Sequence, residues 1–256
     1  MYRFLIFTLF IVNTPLYAWG PLGHRITAKI AESYLDKNTK VKVQKILGGE
    51  TMPMVCNHPD FIKSDPEMRK KYSEYHYLSF DKGESLKNGK KHQKKNILSG
   101  IEYFTSILQN KKSNKQDKIF ALSFIIHLIA DLHQPLHLGY MSDRGGNSYK
   151  VSWFQTDSNL HDIWDSRLIQ ISELSFTEYA SELLIKMTDK NKTDWTAKLD
   201  IETWAKESRN YVEKVYDFKV KEYWEFHYFY KHRSFLEQRL MQGGVRLASY
   251  LNQILK

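Results

Sequence analysis

The strongest constraint on the fold of this chain is an apolar segment, His127 to His137, in which histidine and aspartate recur among aliphatic residues. On a helix, His127 and Asp131 are four residues apart and share one face, whereas residues 128–130 point into packing. Pro135 ends such a helix, so that His137 can turn back beside the first two side chains. The segment therefore predicts a buried helix that presents two metal-ligand types, with a third just beyond its end.

A second pair of the same kind, His161 and Asp165, repeats the four-residue spacing. Imidazole and carboxylate groups are zinc ligands, although a single such pair on an apolar helix is more often a hydrogen-bonded core histidine. Two pairs favour metal binding when they occur together with His137 and with His24 and His76, which also lie beside apolar residues. Burying so many titratable groups without partners would be costly, whereas metal ions would satisfy them and tie distant segments together.

Most of the remaining chain shows helical periodicity. Apolar residues recur at helical spacing over 23–35, 41–47, 97–109, 119–132, 176–187, 201–216 and 233–255. No repeat of fixed period is present. The pattern predicts one mainly α-helical domain.

A small β-hairpin is expected within 139–159, where Gly145-Gly146-Asn147 forms a turn before the alternating residues Tyr149, Val151 and Trp153. Helices resume at about Asn159. Three stretches are predicted to be less regular: 51–65 is loop-rich, 76–80 is extended or helical, and the lysine-rich 82–95 is an exposed loop.

The composition is that of a globular protein, because 42% of the 256 residues are hydrophobic and 26% are charged. Lysine and arginine number 38 against 29 acidic residues, for a net charge of +9. This excess favours polyanionic partners only weakly, since solubility explains it equally well. Cys56 is the single cysteine and excludes an internal disulfide, and we expect a buried thiol there rather than a metal ligand.

The first 18 residues have the layout of a secretory signal peptide: Arg3, an apolar run over 4–12, and Ala18 before the cut. These nine residues span about 14 Å as a helix, which is too short for a membrane anchor. We therefore expect residues 1–18 to be removed and the mature domain to comprise 19–256. The mature protein would be periplasmic or extracellular, without a membrane anchor, and would begin at Trp19.

Nine ligand-type positions recur along the chain within a series of short motifs: Trp19-Gly20, His24, Asp60, His76, the block from His127 to His137, Gly145-Gly146-Asn147, Asn159-Leu160-His161 and Trp164-Asp165. This order resembles that of the zinc-dependent single-strand-specific nucleases of the S1/P1 type, which include mung bean nuclease. The resemblance continues in Trp204-Ala205, Glu207-Ser208, Arg246-Leu247-Ala248 and Leu251-Asn252. It implies the multi-helix fold that zinc phospholipase C and the single-strand nucleases share.

The resemblance also implies a cluster of three zinc ions. One zinc would be bound by Asp60, His76 and His127, a second by His137, His161 and Asp165, and the third by Trp19 and His24, with Asp131 bridging the first and third. Trp19 would bind through its free α-amino group and carbonyl oxygen. Because an amide nitrogen has no available lone pair, signal removal would be a step in building the site.

The implied activity is endonucleolytic hydrolysis of single-stranded DNA and RNA to 5′-phosphates by a monomer, with 3′-nucleotidase activity as an open question. Catalysis would rest on Asp60 and Asp131. Lys63 is either a phosphate contact or a solvated lysine. Phe80, Asp81 and Tyr77 are candidates for base binding, although each is more simply structural, so no base-binding residue is assigned.

Two alternatives remain on the sequence alone. A zinc phospholipase C shares the fold, but the five-residue gap from Trp19 to His24 and the 24-residue gap from His137 to His161 favour the nuclease. The second alternative is a secreted binding protein in which the metal ions have only a structural role, and such a protein would need a metal site closed to water.

Overall fold

The computed structural model describes residues 19–217 and 224–256. The predicted signal segment, 1–18, lies outside the described residues. Within them the protein is mainly α-helical with one small antiparallel sheet, which confirms the predicted fold class.

The helices follow the sequence periodicity closely at their centres. Their bounds are α1 Pro21–Tyr34, α2 Lys37–Leu47, α3 Met52–Val55, α4 His58–Phe61, α5 Pro66–Tyr72, α6 Leu86–His92, α7 Ile97–Gln109, α8 Lys115–Asp131, α9 Leu160–Asp162, α10 Leu168–Gln170, α11 Phe176–Lys186, α12 Asp189–Thr196, α13 Ile201–Val215 and α14 Trp224–Ile254. Short 3₁₀ turns cover Ile62–Ser64, Ser73–His76 and Pro135–Leu138, and a π-helical turn covers Ile163–Arg167.

Helix α8 forms the centre of the molecule. The side chain of Asn114 caps its first turn by accepting the N–H of Asp117. Residues 121–131 are all buried, so the second half of the helix is covered on every side. Helices α1, α7 and α14 pack around it. His127 and Asp131 are therefore held in the interior of the domain.

The predicted hairpin is present as β1 Lys150–Trp153 and β2 Thr156–Asn159. The chain reverses at Phe154 and Gln155, whose φ angles of 46° and 62° match the two-residue turns that suit a twisted hairpin. The predicted glycine turn lies earlier, with positive φ at Gly145 and Gly146. It leads into the hairpin rather than closing it.

The irregular stretches contain more structure than the sequence pattern indicates. The loop prediction for 82–95 is wrong over α6, because Ser85 caps that helix and Gly89 packs directly on the Phe80 ring. The loop-rich stretch 51–65 contains α3 and α4, each with a proline in its first turn. After His76 the chain is extended, and Phe80 pairs with Tyr140 in an isolated bridge.

Two further differences concern the C-terminal half. Helix α14 already includes Trp224, nine residues before the predicted segment at Arg233, and the polar helix α12 shows no amphipathic signal in the sequence. Cys56 is fully buried, as expected, and burial raises the pKa of its thiol to about 12. No helix in the described part of the chain combines the length and apolar character needed to span a membrane.

Candidate metal centre

Eight of the nine predicted ligand residues converge in the interior of the domain. Each is at most 7% exposed. Their ligand-type atoms form three groups, each within 4.8 Å: His24 with His127 and Asp131; Asp60 with His76 and His127; and His137 with His161 and Asp165. The site depends on the whole fold, because its residues come from many separate elements. These are the helices α1, α4, α8 and α9, the turn that ends at His76, and the turns that contain His137 and Asp165.

Asp131 lies at the centre of this arrangement and is fully buried. Its Oδ1 is 3.2 Å from His24 Nε2, while its Oδ2 is 3.2 Å from both His76 Nδ1 and His127 Nε2. His137 Nδ1 is 3.7 Å from the same Oδ2. Burial alone would raise the pKa of Asp131, but the surrounding histidines hold it well below its usual range. One carboxylate therefore serves two groups of imidazoles.

Backbone carbonyls fix the orientation of three imidazole rings. The Nδ1 atoms of His127, His137 and His161 donate to the carbonyls of Cys56, His76 and Gly145, at 2.7, 2.6 and 2.6 Å. Because a carbonyl only accepts, each ring carries its proton on Nδ1. Nε2 is then the ring atom that can bind a cation, which is the usual outer-shell arrangement of metal-binding histidines.

Buried polar atoms without partners are a second observation that fits a metal ion at this site. Buried side-chain atoms at the junction of the three groups have no hydrogen-bond partner among the described residues: His24 Nδ1, His76 Nε2, His137 Nε2 and Asp60 Oδ2. Burial lowers the pKa of His24, of His76 to about 3 and of His137 to about 4, so these imidazoles are neutral at pH 7. Neutral imidazole and carboxylate are the ligand forms of divalent transition metals.

Asp60 is paired with the predicted phosphate-contact residue, Lys63. The ammonium group of Lys63 lies 2.7 Å from Asp60 Oδ1, and the lysine side chain is only 12% exposed. Burial would raise the pKa of Asp60, but Lys63 and the neighbouring histidines lower it to about 2. Lys63 is therefore an ion-pair partner at the edge of the centre rather than a freely solvated lysine.

Asp165 is held by contacts that the sequence did not indicate. Gln134 Nε2 donates to Asp165 Oδ1, and Gln134 Oε1 accepts the N–H of Leu136. The N–H of Gly20 donates to the Asp165 carbonyl at 2.8 Å, which brings the backbone next to Trp19 against this loop. The Trp19 indole is fully buried. Burial raises the pKa of Asp165 to about 7, although His161 opposes the shift.

His133 belongs to a different interaction network. Its Nδ1 donates to the Ile129 carbonyl and its Nε2 lies 3.2 Å from Arg246. Arg246 and Arg239 both bond to Glu207, and Arg239 also donates to the His133 carbonyl. This network anchors the chain immediately after Asp131. The sequence does not predict it, because His133 follows α8, Glu207 is on α13 and both arginines are on α14, far apart along the chain.

A mainly helical domain with adjoining groups of buried imidazoles and carboxylates is typical of the metal-dependent hydrolases as a class. Comparison with known proteins specifies the family. The S1/P1 Nuclease family model matches residues 19–256. This chain therefore belongs to the S1/P1 nuclease family.

Individual relatives agree with the family match. "Endonuclease 4" of Arabidopsis thaliana is 30% identical over 98% of this chain and 93% of its own length. "Nuclease S1" of Aspergillus oryzae is 27% identical over 93% of this chain and 92% of its own length, and "Nuclease P1" of Penicillium citrinum is 24% identical over 59% and 58%. The protein is a hydrolytic nuclease, and the match favours this activity over that of a zinc phospholipase C.

Proposed function

We propose that the mature protein, residues 19–256, is a secreted, monomeric, zinc-dependent endonuclease that hydrolyses single-stranded DNA and RNA to 5′-phosphate products. The observation that carries this proposal is the junction of three buried imidazole and carboxylate groups around Asp131. Residues 1–18 would direct secretion and be removed.

The donor atoms suggest which residues would hold three zinc ions. Asp60, His76 and His127 form one set, and His137, His161 and Asp165 form another. His24 and the main-chain groups of Trp19 form the third, and Asp131 connects the first and third sets. When bound, the ions would supply Lewis acidity towards the phosphodiester and its attacking water.

The protein groups would orient the reactants. Asp60 is a carboxylate at pH 7 because its pKa is about 2, so it would position water by accepting a hydrogen bond. Lys63 keeps Asp60 charged and would provide a cation beside the reacting phosphate. A base would reach this buried site most easily from an unpaired strand, since a paired base must first unstack.

Activity on defined substrates tests the proposal. The mature protein should cleave single-stranded DNA and RNA faster than duplex DNA, should leave phosphatidylcholine intact, and should lose activity with a chelator and regain it with zinc. The variant Asp131→Asn should be inactive, whereas its matched control Asp157→Asn, at an exposed position on β2, should be active. Cleavage of phosphatidylcholine, or full nuclease activity without metal, would contradict the proposal.

Two further measurements test its remaining parts. Expression of the full chain followed by sequencing of the secreted product should give Trp19 as the first residue. End-group labelling should find phosphate on the 5′ end of each product. A product that begins elsewhere, or one with 3′-phosphate ends, would exclude the corresponding part of the proposal.

A further inference from the structure

The lysine-rich segment 82–95 has no role in the metal centre. It contains six lysines and one acidic residue, Glu84, so it carries a charge of +5 without its histidine. It contains no Phe, Tyr or Trp. It therefore offers positive charge without the flat aromatic surfaces on which bases stack.

The segment is fixed beside the metal centre. The Gln93 side-chain amide donates to the Tyr77 carbonyl at 3.1 Å and accepts the N–H of Ser79 at 3.1 Å. Gly89 of α6 lies so close to the Phe80 ring that an added Cβ would be 2.7 Å from it. The same chain segment, 77–80, follows His76 directly, and its Leu78 N–H donates to the His137 carbonyl. Residues 77–80 thus separate the lysine-rich segment from two of the predicted metal ligands.

The lysines face away from this contact. Lys87 and Lys91 are four residues apart, so they share the face of α6 opposite Gly89, and both are exposed. Lys82, Lys94 and Lys95 are exposed as well. Only Lys90 of the six has a carboxylate within ion-pair distance in the described part of the chain, at Glu202.

Such an arrangement is unfavourable for the isolated protein. Like charges four residues apart on a helix repel each other. The helix dipole offsets the repulsion at Lys91 in the last turn, but its effect fades beyond the helix end and does little for Lys94 and Lys95. A polyanion bound across these side chains would relieve the repulsion.

We infer that the segment 82–95 binds the sugar-phosphate backbone of a long single-stranded substrate next to the bond that is cleaved. This inference rests on the proposed function and adds a binding surface to it. The contact is electrostatic and independent of base sequence. It raises the affinity for polymers over dinucleotides, which have no phosphate beyond the one that is cleaved.

Two triple variants with equal loss of charge test the inference. The first combines Lys87→Gln, Lys91→Gln and Lys94→Gln. The control combines Lys111→Gln, Lys112→Gln and Lys115→Gln, which are also exposed. Lys115 opens α8 and Asp131 ends it, so 16 helical steps place Lys115 about 24 Å from Asp131.

The readouts are kcat/KM for a long single strand as salt is raised, and the ratio of kcat/KM for the strand to that for a dinucleotide. Each phosphate contact contributes about 0.7 to the slope of log kcat/KM against log salt, so the first triple variant should lose about 2 from this slope. Between roughly 50 and 200 mM salt, the control should therefore lose about 20-fold more activity than the first variant. The strand-to-dinucleotide ratio should fall only in the first variant.

Equal slopes and equal ratios in the two variants would overturn the inference. Wild-type protein that cleaves neither substrate would instead overturn the proposed function, so the two failures are distinguishable. Thermal melting and zinc content show whether each variant is folded. If the first triple variant is unfolded, single substitutions at Lys91 and Lys94 should each reduce the slope by about 0.7, and unchanged slopes in both would equally refute the inference.

Discussion

Glu207→Gln is the most informative substitution outside the metal centre. Glu207 on α13 accepts hydrogen bonds from Arg239 at 3.0 Å and from both terminal nitrogens of Arg246. The two arginines are 1% and 4% exposed, and both also bond to His133, two residues after Asp131. The substitution keeps the size of the side chain but removes the carboxylate to which both buried arginines bond.

The expected cost can be worked from this geometry. Removing one partner of a buried ion pair costs about 3–5 kcal/mol. Glu207 keeps 36% of its side chain exposed, so solvent screening reduces the expected loss to about 2–3 kcal/mol. A chain of this size loses about 2–4 °C in Tm per kcal/mol, so the melting temperature should fall by roughly 4–12 °C.

The cost should also depend on pH. Burial would raise the pKa of Glu207, but Arg246 and Arg239 outweigh burial and lower it below the ordinary value of 4.5. A lowered folded-state pKa means that the carboxylate stabilises fully above about pH 4.5 and loses this effect as the pH falls through the folded-state pKa. The difference between wild type and variant should therefore be largest at neutral pH and should shrink in acid.

Urea denaturation of metal-free wild type and variant, followed by circular dichroism at several pH values, measures this difference directly. Glu182→Gln is the matched control, because Glu182 on α11 is exposed and its substitution changes the charge equally. A Glu207→Gln protein as stable as the control at pH 7 would refute the reasoning, since the buried arginines would not need this carboxylate.

Three further predictions concern the metal centre. Complete chelation should lower Tm by at least roughly 8–16 °C, because one ion at 1,000 times its Kd contributes about 4.1 kcal/mol; an unchanged scan after verified metal removal would exclude a structural role. One extra residue before Trp19 should convert its amine to an amide, so that the protein loses about one zinc ion per chain and most of its activity. Full zinc content by elemental analysis would count against N-terminal ligation. Gln134→Leu should leave an oxygen of Asp165 and the N–H of Leu136 unsatisfied at roughly 1–3 kcal/mol each, so metal-free protein should unfold at lower urea, and an unchanged midpoint would refute this role.

Much of the local structure follows from the sequence alone. The spacing of His127 and Asp131 places both on one helix face in any helical conformation, because 3.6 residues per turn is a property of the backbone. The apolar residues between them required burial, and α8 is buried there. Likewise, alternation in 149–153 was sufficient to predict a hairpin, although not the position of its turn.

Segments without a strong apolar pattern were harder to predict. Residues 82–95 were correctly expected to be exposed, but a lysine-rich stretch with two glycines gave no helical signal. Helix α6 is capped by Ser85 and packs Gly89 against Phe80, a contact that depends on where the loop after His76 runs. Its structure therefore depends on packing as well as on its local cap.

Only the tertiary structure decided how the candidate site is assembled. Sequence spacing could not show that the two oxygens of Asp131 face His24 on one side and His76 on the other, or that Gln134 joins the loops of Leu136 and Asp165. The same holds for Glu207 and the two arginines 32 and 39 residues away. Periodicity encodes which face of an element is buried, whereas the partners that meet there are selected by the packing of all helices together.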